Sequence, residues 1–110
     1  ILGISRENGF GHLVMFGLGG IFTEVLKDVS FGLAPLTPAE SMDMVRGIKG
    51  FSILSGIRGE KGVSLEAVAD CLCRLSLLAT DFPQIKEMDI NPLKGSGEDL
   101  LILDARIILD

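Results

Sequence analysis

Polar and apolar residues alternate along two stretches near the end of the chain, residues 87–93 and 100–109, which is typical of β-strands. Successive side chains of a strand point to opposite faces. The alternation therefore collects the polar side chains of both stretches on one face: Glu87, Asp89, Asn91, Asp104 and Arg106. We predict that the two stretches form an antiparallel hairpin, closed by a turn at residues 94–99 in which two glycines tolerate positive φ angles.

The polar face of this hairpin concentrates negative charge. In the register that sets Asn91 opposite Asp104, Asp89 is paired with Arg106. Cross-strand partners lie about 5 Å apart at Cβ, and two carboxylates about 4 Å apart repel by roughly 4 kcal/mol at an effective dielectric constant near 20. One interpretation is an exposed sheet face with a surface salt bridge to Arg106. The other is a Mg²⁺ site, because hard divalent cations prefer oxygen ligands such as those of Asn91 and Asp104.

Two helices are predicted between these strands and the start of the chain. Thr37 and Glu40 form a capping box around Pro38, which predicts a helix to about Lys49. Ser64 caps a second helix that ends at Asp81-Phe82-Pro83. Its apolar stripe consists of Leu65, Val68, Ala69, Leu72, Leu75 and Ala79.

The first third of the chain is rich in glycine. Residues 1–12 are interpreted as a strand end plus a loop, residues 13–16 as a short buried strand, and residues 21–29 as a second extended stretch. The order is therefore strand, strand, helix, helix, strand, strand. We predict an α+β fold with mostly antiparallel pairing and the two helices on one face, forming a single partial domain over residues 1–110.

Two features of this region suggest chemistry but also have structural explanations. The glycine run Gly17-Leu18-Gly19-Gly20 lacks the third glycine of a dinucleotide fingerprint, where Phe22 stands, and is not a Walker A loop. It is either a phosphate-approaching loop or a tight turn between strands. The only histidine, His12, is interpreted as a structural residue.

Composition excludes several classes of protein. With 110 residues the chain is one domain or less, and a net charge of −5 with a pI near 4.7 argues against nucleic-acid binding. Hydrophobic residues make up 47% of the chain, but charged residues interrupt every stretch, so no membrane span of about 18 apolar residues is expected. No signal peptide is expected, and Cys71 and Cys73 are interpreted as buried thiols in a reducing cytoplasm.

Several runs of residues together resemble the ATP-grasp domain of NDP-forming acyl-CoA synthetases, such as ADP-forming acetyl-CoA synthetase, which are related to the β subunit of succinyl-CoA synthetase. The matching runs are Val14–Phe22, Glu24–Val29, Ala34-Pro35-Leu36, Leu54 with Gly56 and Arg58-Gly59, Asp81-Phe82-Pro83, Glu87–Leu93 and Leu103–Arg106. They occur in the order and with the spacing of that family and cover nearly the whole chain. Each run is weak alone, but the set is specific.

The resemblance implies the C-terminal lobe of an ATP-grasp fold, which clamps ATP between two α+β lobes. The family couples acyl-CoA thioester cleavage to phosphorylation of a nucleoside diphosphate, through an acyl phosphate and a phosphohistidine. The positions that match Asn91 and Asp104 hold Mg²⁺ on the ATP phosphates in such folds, with Asp89 as an additional acid. The residues implied to face the nucleotide phosphates or the acceptor are Glu24, Lys27 and Arg58.

Other parts of such an enzyme do not lie in these 110 residues. They are the lobe that carries the adenine pocket and the phosphate-gripping lysine, the CoA-binding domains, and the phosphohistidine. We therefore expect an N-terminal ATP-grasp lobe and CoA-binding domains or a CoA-binding subunit as partners. We also expect no ligase turnover by the 110 residues alone, and self-association through the apolar surface that the missing lobe leaves uncovered.

Two departures from the family pattern favour a different function. The family's Asp-Pro-x-Phe-Gly-Pro run is replaced by residues 7–12, and an arginine that often follows the phenylalanine before Ala-Pro-Leu is replaced by Gly32. These departures suggest a non-catalytic regulatory or scaffolding module, for example in a synthetase-like acyltransferase. The presence of Asn91 and Asp104 favours the ligase.

Overall fold

The computed structural model describes residues 1–19, 27–51, 64–91, 93–96 and 99–110. Its elements in chain order are β1 (Leu2–Glu7), β2 (Gly11–Gly17), β3 (Val29–Leu33), α1 (Pro38–Gly47), α2 (Leu65–Asp81), β4 (Ile85–Ile90), β5 (Leu93–Ser96), β6 (Asp99–Ile102) and β7 (Ala105–Leu109). The described strands form a five-stranded antiparallel sheet in the order β3-β2-β1-β4-β7 and a separate β5-β6 hairpin. The predicted α+β class with antiparallel pairing is confirmed.

Strand β1 is the centre of the sheet, so the interpretation of residues 1–12 as a strand end plus a loop is wrong. Leu2 pairs with Phe16 of β2 on one side and with Ile90 of β4 on the other. Leu2 and Ile4 are buried, with 1% and 3% of their surface exposed. The alternating pattern of β1 spans only four residues before Arg6, which was too short to distinguish a central strand from a loop.

Both helices cover one face of this sheet. The capping box at Thr37 and Glu40 is formed, and the hydrogen bond from the Thr37 backbone to the Glu40 carboxylate lowers the pKa of Glu40. Ser64 caps α2 by accepting a hydrogen bond from Ala67, as predicted. The core between helices and sheet consists of Leu2, Ile4, Val14, Phe16, Leu36, Met44, Val45, Ile48, Val68, Ala69, Leu72, Ala79, Ile85, Met88 and Ile90.

Two predicted strands have other bounds in the structure. Of the stretch predicted to be extended over residues 21–29, residues 21–26 lie outside the described residues, and β3 begins at Val29, where that stretch was predicted to end. The stretch at residues 100–109 divides into β6, which pairs with β5, and β7, which pairs with β4. The break at Leu103 and Asp104 separates the two pairings.

The cysteines lie on α2 as free, half-buried thiols. Burial raises the pKa of the Cys71 thiol, and Cys73 donates a hydrogen bond to the carbonyl oxygen of Leu36. Neither described helix is long and apolar enough to cross a membrane.

Two buried serines in the helix layer provide a test of the packing with opposite expected signs. The Ser76 hydroxyl accepts a hydrogen bond from the Leu36 amide at 2.9 Å and donates one to the Cys73 carbonyl at 2.7 Å. The Ser41 hydroxyl is fully buried and has no hydrogen-bond partner among the described residues. We expect Ser76→Ala to lower the free energy of unfolding by about 1–3 kcal/mol, because it orphans a buried amide. Ser41→Ala should raise it by roughly 0.5–1 kcal/mol, because alanine removes an unpaired hydroxyl and favours the helix.

Urea denaturation of both variants and of the unmodified chain measures the two effects under identical conditions. Equal destabilisation by both substitutions would contradict the assignment, among the described residues, of two hydrogen bonds to the Ser76 hydroxyl and none to the Ser41 hydroxyl.

Candidate functional site

The polar residues of β4 and β7 meet at one end of the sheet. Asp89 pairs with Arg106, and Ile90 pairs with Ala105. The ladder continues one step further, because the backbone N–H of Asn91 donates a hydrogen bond to the backbone carbonyl oxygen of Asp104 at 3.1 Å. The register that the sequence suggested, with Asn91 opposite Asp104, is thus present. It brings two carboxylates and an amide to the exposed end of two neighbouring strands.

Arg106 does not form the predicted ion pair. Its Nη2 atom lies 3.9 Å from Oε2 of Glu87, and the described ion pairs include none to Asp89. Strand pairing places Arg106 directly across from Asp89, but its long side chain reaches diagonally along the strand to Glu87 instead. Both partners are more than half exposed, so the attraction is weak. Among the described residues, Asp89 therefore has no ion-pair partner.

The donors at this end suit a cation that arrives with its own oxygen ligands. Among the described residues, no three histidine, cysteine, aspartate or glutamate side chains are close enough to hold a metal by themselves. Asp89, Asn91 and Asp104 offer two carboxylates and one amide oxygen. Mg²⁺ is usually held by one or two carboxylates, with phosphate oxygens and waters completing its octahedron. The residues present therefore fit a phosphate-bound Mg²⁺ and not a metal enclosed by protein ligands.

Gly17, the first residue of the glycine run, and Lys27 lie at the same end of the sheet, near the opposite edge. Gly17 pairs with Val29, one step beyond the row that contains Phe16, Leu2 and Ile90. Lys27 is exposed two residues before Val29 and adopts a left-handed conformation with φ of 55°. Four strand spacings of about 4.8 Å separate its edge from β7, so Lys27 lies roughly 19 Å across the sheet from Asp104. The other two predicted nucleotide-binding residues, Glu24 and Arg58, lie outside the described residues.

A buried carboxylate that sequence reasoning missed fixes the backbone at this end. Asp28 is only 8% exposed, and its two oxygens accept hydrogen bonds from the amides of Lys49 at 2.6 Å and Gly50 at 2.7 Å. A Cβ atom on Gly50 would stand 2.5 Å from the Leu18 side chain, so Leu18 packs directly against the backbone at Lys49 and Gly50. Asp28 thus ties the end of α1 to the start of β3. The signal was weak, because a single aspartate before a strand is usually solvated.

The face of the sheet that the helices leave uncovered carries a groove of about 250 Å³. Its walls differ in character. Leu13, Met15 and Phe31 form an apolar side on β2 and β3, and Glu87, Asp89 and Arg106 form a charged side on β4 and β7. Gly3 and Ser5 of the central strand lie between the two sides.

Gly32 faces the helices and not this groove. A Cβ atom on Gly32 would lie 2.8 Å from Sδ of Met44 and 3.0 Å from Cδ2 of Leu36, both of which belong to the core. An arginine at this position would begin on the helix side of the sheet. The absence of an arginine at position 32 therefore removes no contact from the groove.

His12 is structural, as its sequence context indicated. The side chain is 5% exposed, and its Nε2 lies 2.7 Å from the carbonyl oxygen of Ile85. Because a carbonyl only accepts hydrogen bonds, Nε2 carries the proton in this pair. The bond joins β2 to the start of β4, on the covered side of the sheet and away from Asp89.

The described part of the chain combines an antiparallel sheet, a single layer of helices, and carboxylate and amide side chains at one end of the sheet, which are features of a nucleotide-binding α+β domain. Residues 1–109 match the ATP-grasp domain family, and the chain belongs to that family. The predicted resemblance to the ATP-grasp domain of NDP-forming acyl-CoA synthetases is confirmed by its relatives and structural neighbours.

The chain is 50% identical over 109 residues to the β subunit of an ADP-forming acetate–CoA ligase I from Pyrococcus furiosus, covering 99% of this chain and 47% of that subunit. It is 47% identical over 109 residues to an ADP-forming acetate–CoA ligase I from Archaeoglobus fulgidus, of which it covers 16%. Its fold matches the apo form of dinucleotide-forming acetyl-coenzyme A synthetase 1 from Ca. Korarchaeum cryptofilum, with a TM-score of 0.91, 40% identity, and coverage of 99% of this chain and 52% of that one. The chain thus spans about half or less of the length of these relatives.

Proposed function

We propose that this chain is the lobe of an ADP-forming acyl-CoA synthetase that binds Mg²⁺ and the nucleotide phosphates. In this proposal the complete enzyme couples acyl-CoA thioester cleavage to formation of a nucleoside triphosphate. The observation that carries the proposal is the β4-β7 register, which brings Asp89, Asn91 and Asp104 to one exposed end of the sheet. Similarity to the Pyrococcus and Archaeoglobus ligases supports the reaction class.

The residues of this lobe bind and orient the phosphates. Asp104 and Asn91 are the proposed Mg²⁺ ligands, and the carboxylate of Asp89, which has no ion pair to a described residue, adds negative charge beside them. Mg²⁺ held by Asp104 and Asn91 would supply positive charge that neutralises the charge developing on the phosphates during phosphoryl transfer. Lys27 is proposed to contact phosphate or acceptor oxygens further across the same sheet end, together with Glu24 and Arg58. The nucleotide itself is mainly bound by a second ATP-grasp lobe, and CoA by further domains or a subunit.

The two departures that favour the alternative, a non-catalytic module, lie away from the proposed site. Gly32 points toward the helices, so the missing arginine leaves the groove unchanged. The altered run at residues 7–12 forms the turn between β1 and β2, with Glu7 opposite Gly11. This turn lies at the far end of β1 from the row of Leu2 and Ile90, five residues or roughly 17 Å along the strand at about 3.4 Å per residue, and the proposed Mg²⁺ ligands lie beyond that row. Neither departure touches the site.

A chimera tests the proposed function directly. In this chimera the 110-residue chain replaces the matched segment of the Pyrococcus furiosus β subunit, which is then assembled with the rest of that ligase. We expect ATP formation from acetyl-CoA, ADP and phosphate at a rate within about tenfold of the parent, because the proposed lobe supplies the Mg²⁺ ligands and phosphate contacts that the reaction needs. A noncatalytic lobe would supply neither, and the chimera would then form no ATP. A coupled ATP assay measures the rate.

The parent ligase assayed in parallel is the positive control, and the chimera with Asp43→Asn controls for loss of one negative charge. Asp43 is exposed on α1, on the opposite side of the sheet. A chimera that folds and assembles with the circular dichroism spectrum of the parent but forms no ATP would refute the ligase function and leave the scaffolding module.

A further inference from the structure

Gly3 occupies the middle of the sheet on its uncovered face. It lies in β1 between Met15 of β2 and Asp89 of β4, which are its partners on either side. These neighbours belong to the apolar and the charged wall of the groove, so Gly3 forms the floor where the two walls meet.

No described neighbour requires a glycine at this position. Gly3 is not among the residues with positive φ, which in the described chain include Gly9, Gly11 and Gly19. Among the described residues, a Cβ atom on Gly3 would lie 3.6 Å from Cε and 4.0 Å from Cβ of Met15 and 3.9 Å from the carbonyl oxygen of Met88, which are ordinary contacts. Glycine inside a strand nevertheless reduces stability relative to alanine, because its backbone loses more freedom on folding.

Two other glycines of the fold show what internal packing demands. A Cβ atom on Gly32 would lie 2.8 Å from Met44, and one on Gly50 would lie 2.5 Å from Leu18. Those glycines are explained by neighbours in the same chain. Gly3 has no such neighbour in the part of the chain that the structure describes, and a strand glycine without one often marks a site where a ligand or another backbone approaches closely.

The groove around Gly3 indicates the chemistry of what approaches. Met15 and Phe31 offer an apolar surface on one side, whereas Asp89 and Arg106 offer charge on the other. Phe31 is 57% exposed, so this surface is available to a ligand. A ligand that fits both sides has a flat apolar part and a phosphate part that brings a cation to Asp89.

We propose that Gly3 sets the closest approach of a nucleoside di- or triphosphate to the sheet, so that the absence of a side chain at this position is a determinant of nucleotide affinity. This inference rests on the proposed function for the identity of the ligand. A methyl group at position 3 fits the folded chain but projects into the space that the ligand occupies. A Cβ atom at position 3 is therefore expected to raise the stability of the fold and to lower the affinity for the nucleotide.

The test compares Gly3→Ala with Gly47→Ala in the chimera described above. Gly47 is the last residue of α1, and its Cβ atom would also make an ordinary contact, 3.7 Å from Cβ of Ser30, but it lies on the helix side away from the groove. We expect both substitutions to raise the unfolding midpoint of the 110-residue chain by roughly 2–6 °C. In the chimera, Gly3→Ala should weaken binding of the Mg²⁺ complex of a non-hydrolysable ATP analogue by at least about tenfold, through overpacking against the ligand. Gly47→Ala should leave that affinity unchanged.

The outcomes separate this inference from the proposed function. Calorimetric binding of the analogue does not depend on turnover, so a chimera that binds nucleotide without forming ATP sinks the proposed function and still tests Gly3. Unchanged affinity in Gly3→Ala overturns the inference. Failure of that variant to assemble with the rest of the ligase also overturns it, because a protein backbone and not a nucleotide then approaches Gly3. Loss of stability in Gly3→Ala also overturns it, because the glycine is then required by the fold. A chimera that binds no analogue at all overturns both proposals.

Discussion

Replacing Asp104 with alanine is expected to weaken binding of Mn²⁺, used as a paramagnetic substitute for Mg²⁺, by about 100-fold or more in the nucleotide-bound chimera. The backbone of Asp104 is joined to that of Asn91 by the last bond of the β4-β7 ladder. Substitution of groups that only support metal ligands typically costs about 10–100-fold in affinity or activity, and loss of a direct carboxylate ligand should cost at least as much. Water proton relaxation measures the bound Mn²⁺.

The same substitution should leave folding nearly unchanged. Asp104 is exposed and lies outside the strands, so its loss should alter the free energy of unfolding by no more than about 0.5 kcal/mol. Asp43→Asn, which removes one charge on the other side of the sheet, is the matched control and should weaken Mn²⁺ binding less than about twofold, as expected for a screened charge. If Asp104→Ala and Asp43→Asn weaken Mn²⁺ binding equally, the effect is general electrostatics, and Asp104 is not a ligand.

Local sequence signals predicted the helices well because their start and stop signals are independent of the rest of the fold. The capping box at Thr37 and Glu40 and the cap at Ser64 are satisfied by residues within one turn. The apolar stripe of α2 was also predicted correctly, and Leu72 at its centre is fully buried. The end of α1 was predicted at about Lys49, and the helix ends at Gly47, with Met44 buried against the Gly32 side of β3.

The strands of the first third could not be placed in the same way. β1 shows only two buried residues, Leu2 and Ile4, and its position at the centre depends on pairing with β4, more than 80 residues further along the chain. No local signal specifies such a partner. The register of β4 and β7, in contrast, is restricted by alternation, because a shift of one residue would move Asp89 into the core and Met88 out of it, whereas a shift of two residues would keep both on their faces.

Side-chain partners at the candidate site were less predictable than backbone register. Alternation correctly placed Arg106 across from Asp89 but could not show that the guanidinium reaches Glu87. An exposed arginine has several rotamers of similar energy, and cross-strand and diagonal acids compete for it. Asp28 was missed because its two amide donors, from Lys49 and Gly50, come from a turn that only the folded chain brings near.

A substitution in the core should lower the stability of the chain without weakening Mn²⁺ binding at the candidate site. Leu72→Ala tests this expectation. Leu72 lies at the middle of α2 with no exposed surface, packed with residues of the core cluster. Truncation of a fully buried leucine costs about 2–5 kcal/mol, because it combines lost transfer free energy with an unfilled cavity. In a chain of this size, each kcal/mol lowers the unfolding midpoint by roughly 4–8 °C, so a fall of at least about 8 °C is expected. Thermal unfolding followed by circular dichroism measures it.

Leu77→Ala is the matched control on the same helix, since Leu77 is 45% exposed and its truncation should cost less than about 1 kcal/mol. At a temperature where the Leu72→Ala chimera remains folded, its affinity for Mn²⁺ and nucleotide should equal that of the unmodified chimera. The helices touch the covered face of the sheet, whereas Asp89, Asn91 and Asp104 lie at the end formed by β4 and β7, so a cavity under α2 leaves the ligand geometry intact. Weakened Mn²⁺ binding in folded Leu72→Ala would show that the ligands depend on core packing. Together with a stable Asp104→Ala variant that does not bind Mn²⁺, unchanged binding in Leu72→Ala would assign stability to the helix side of the sheet and metal binding to the end formed by β4 and β7.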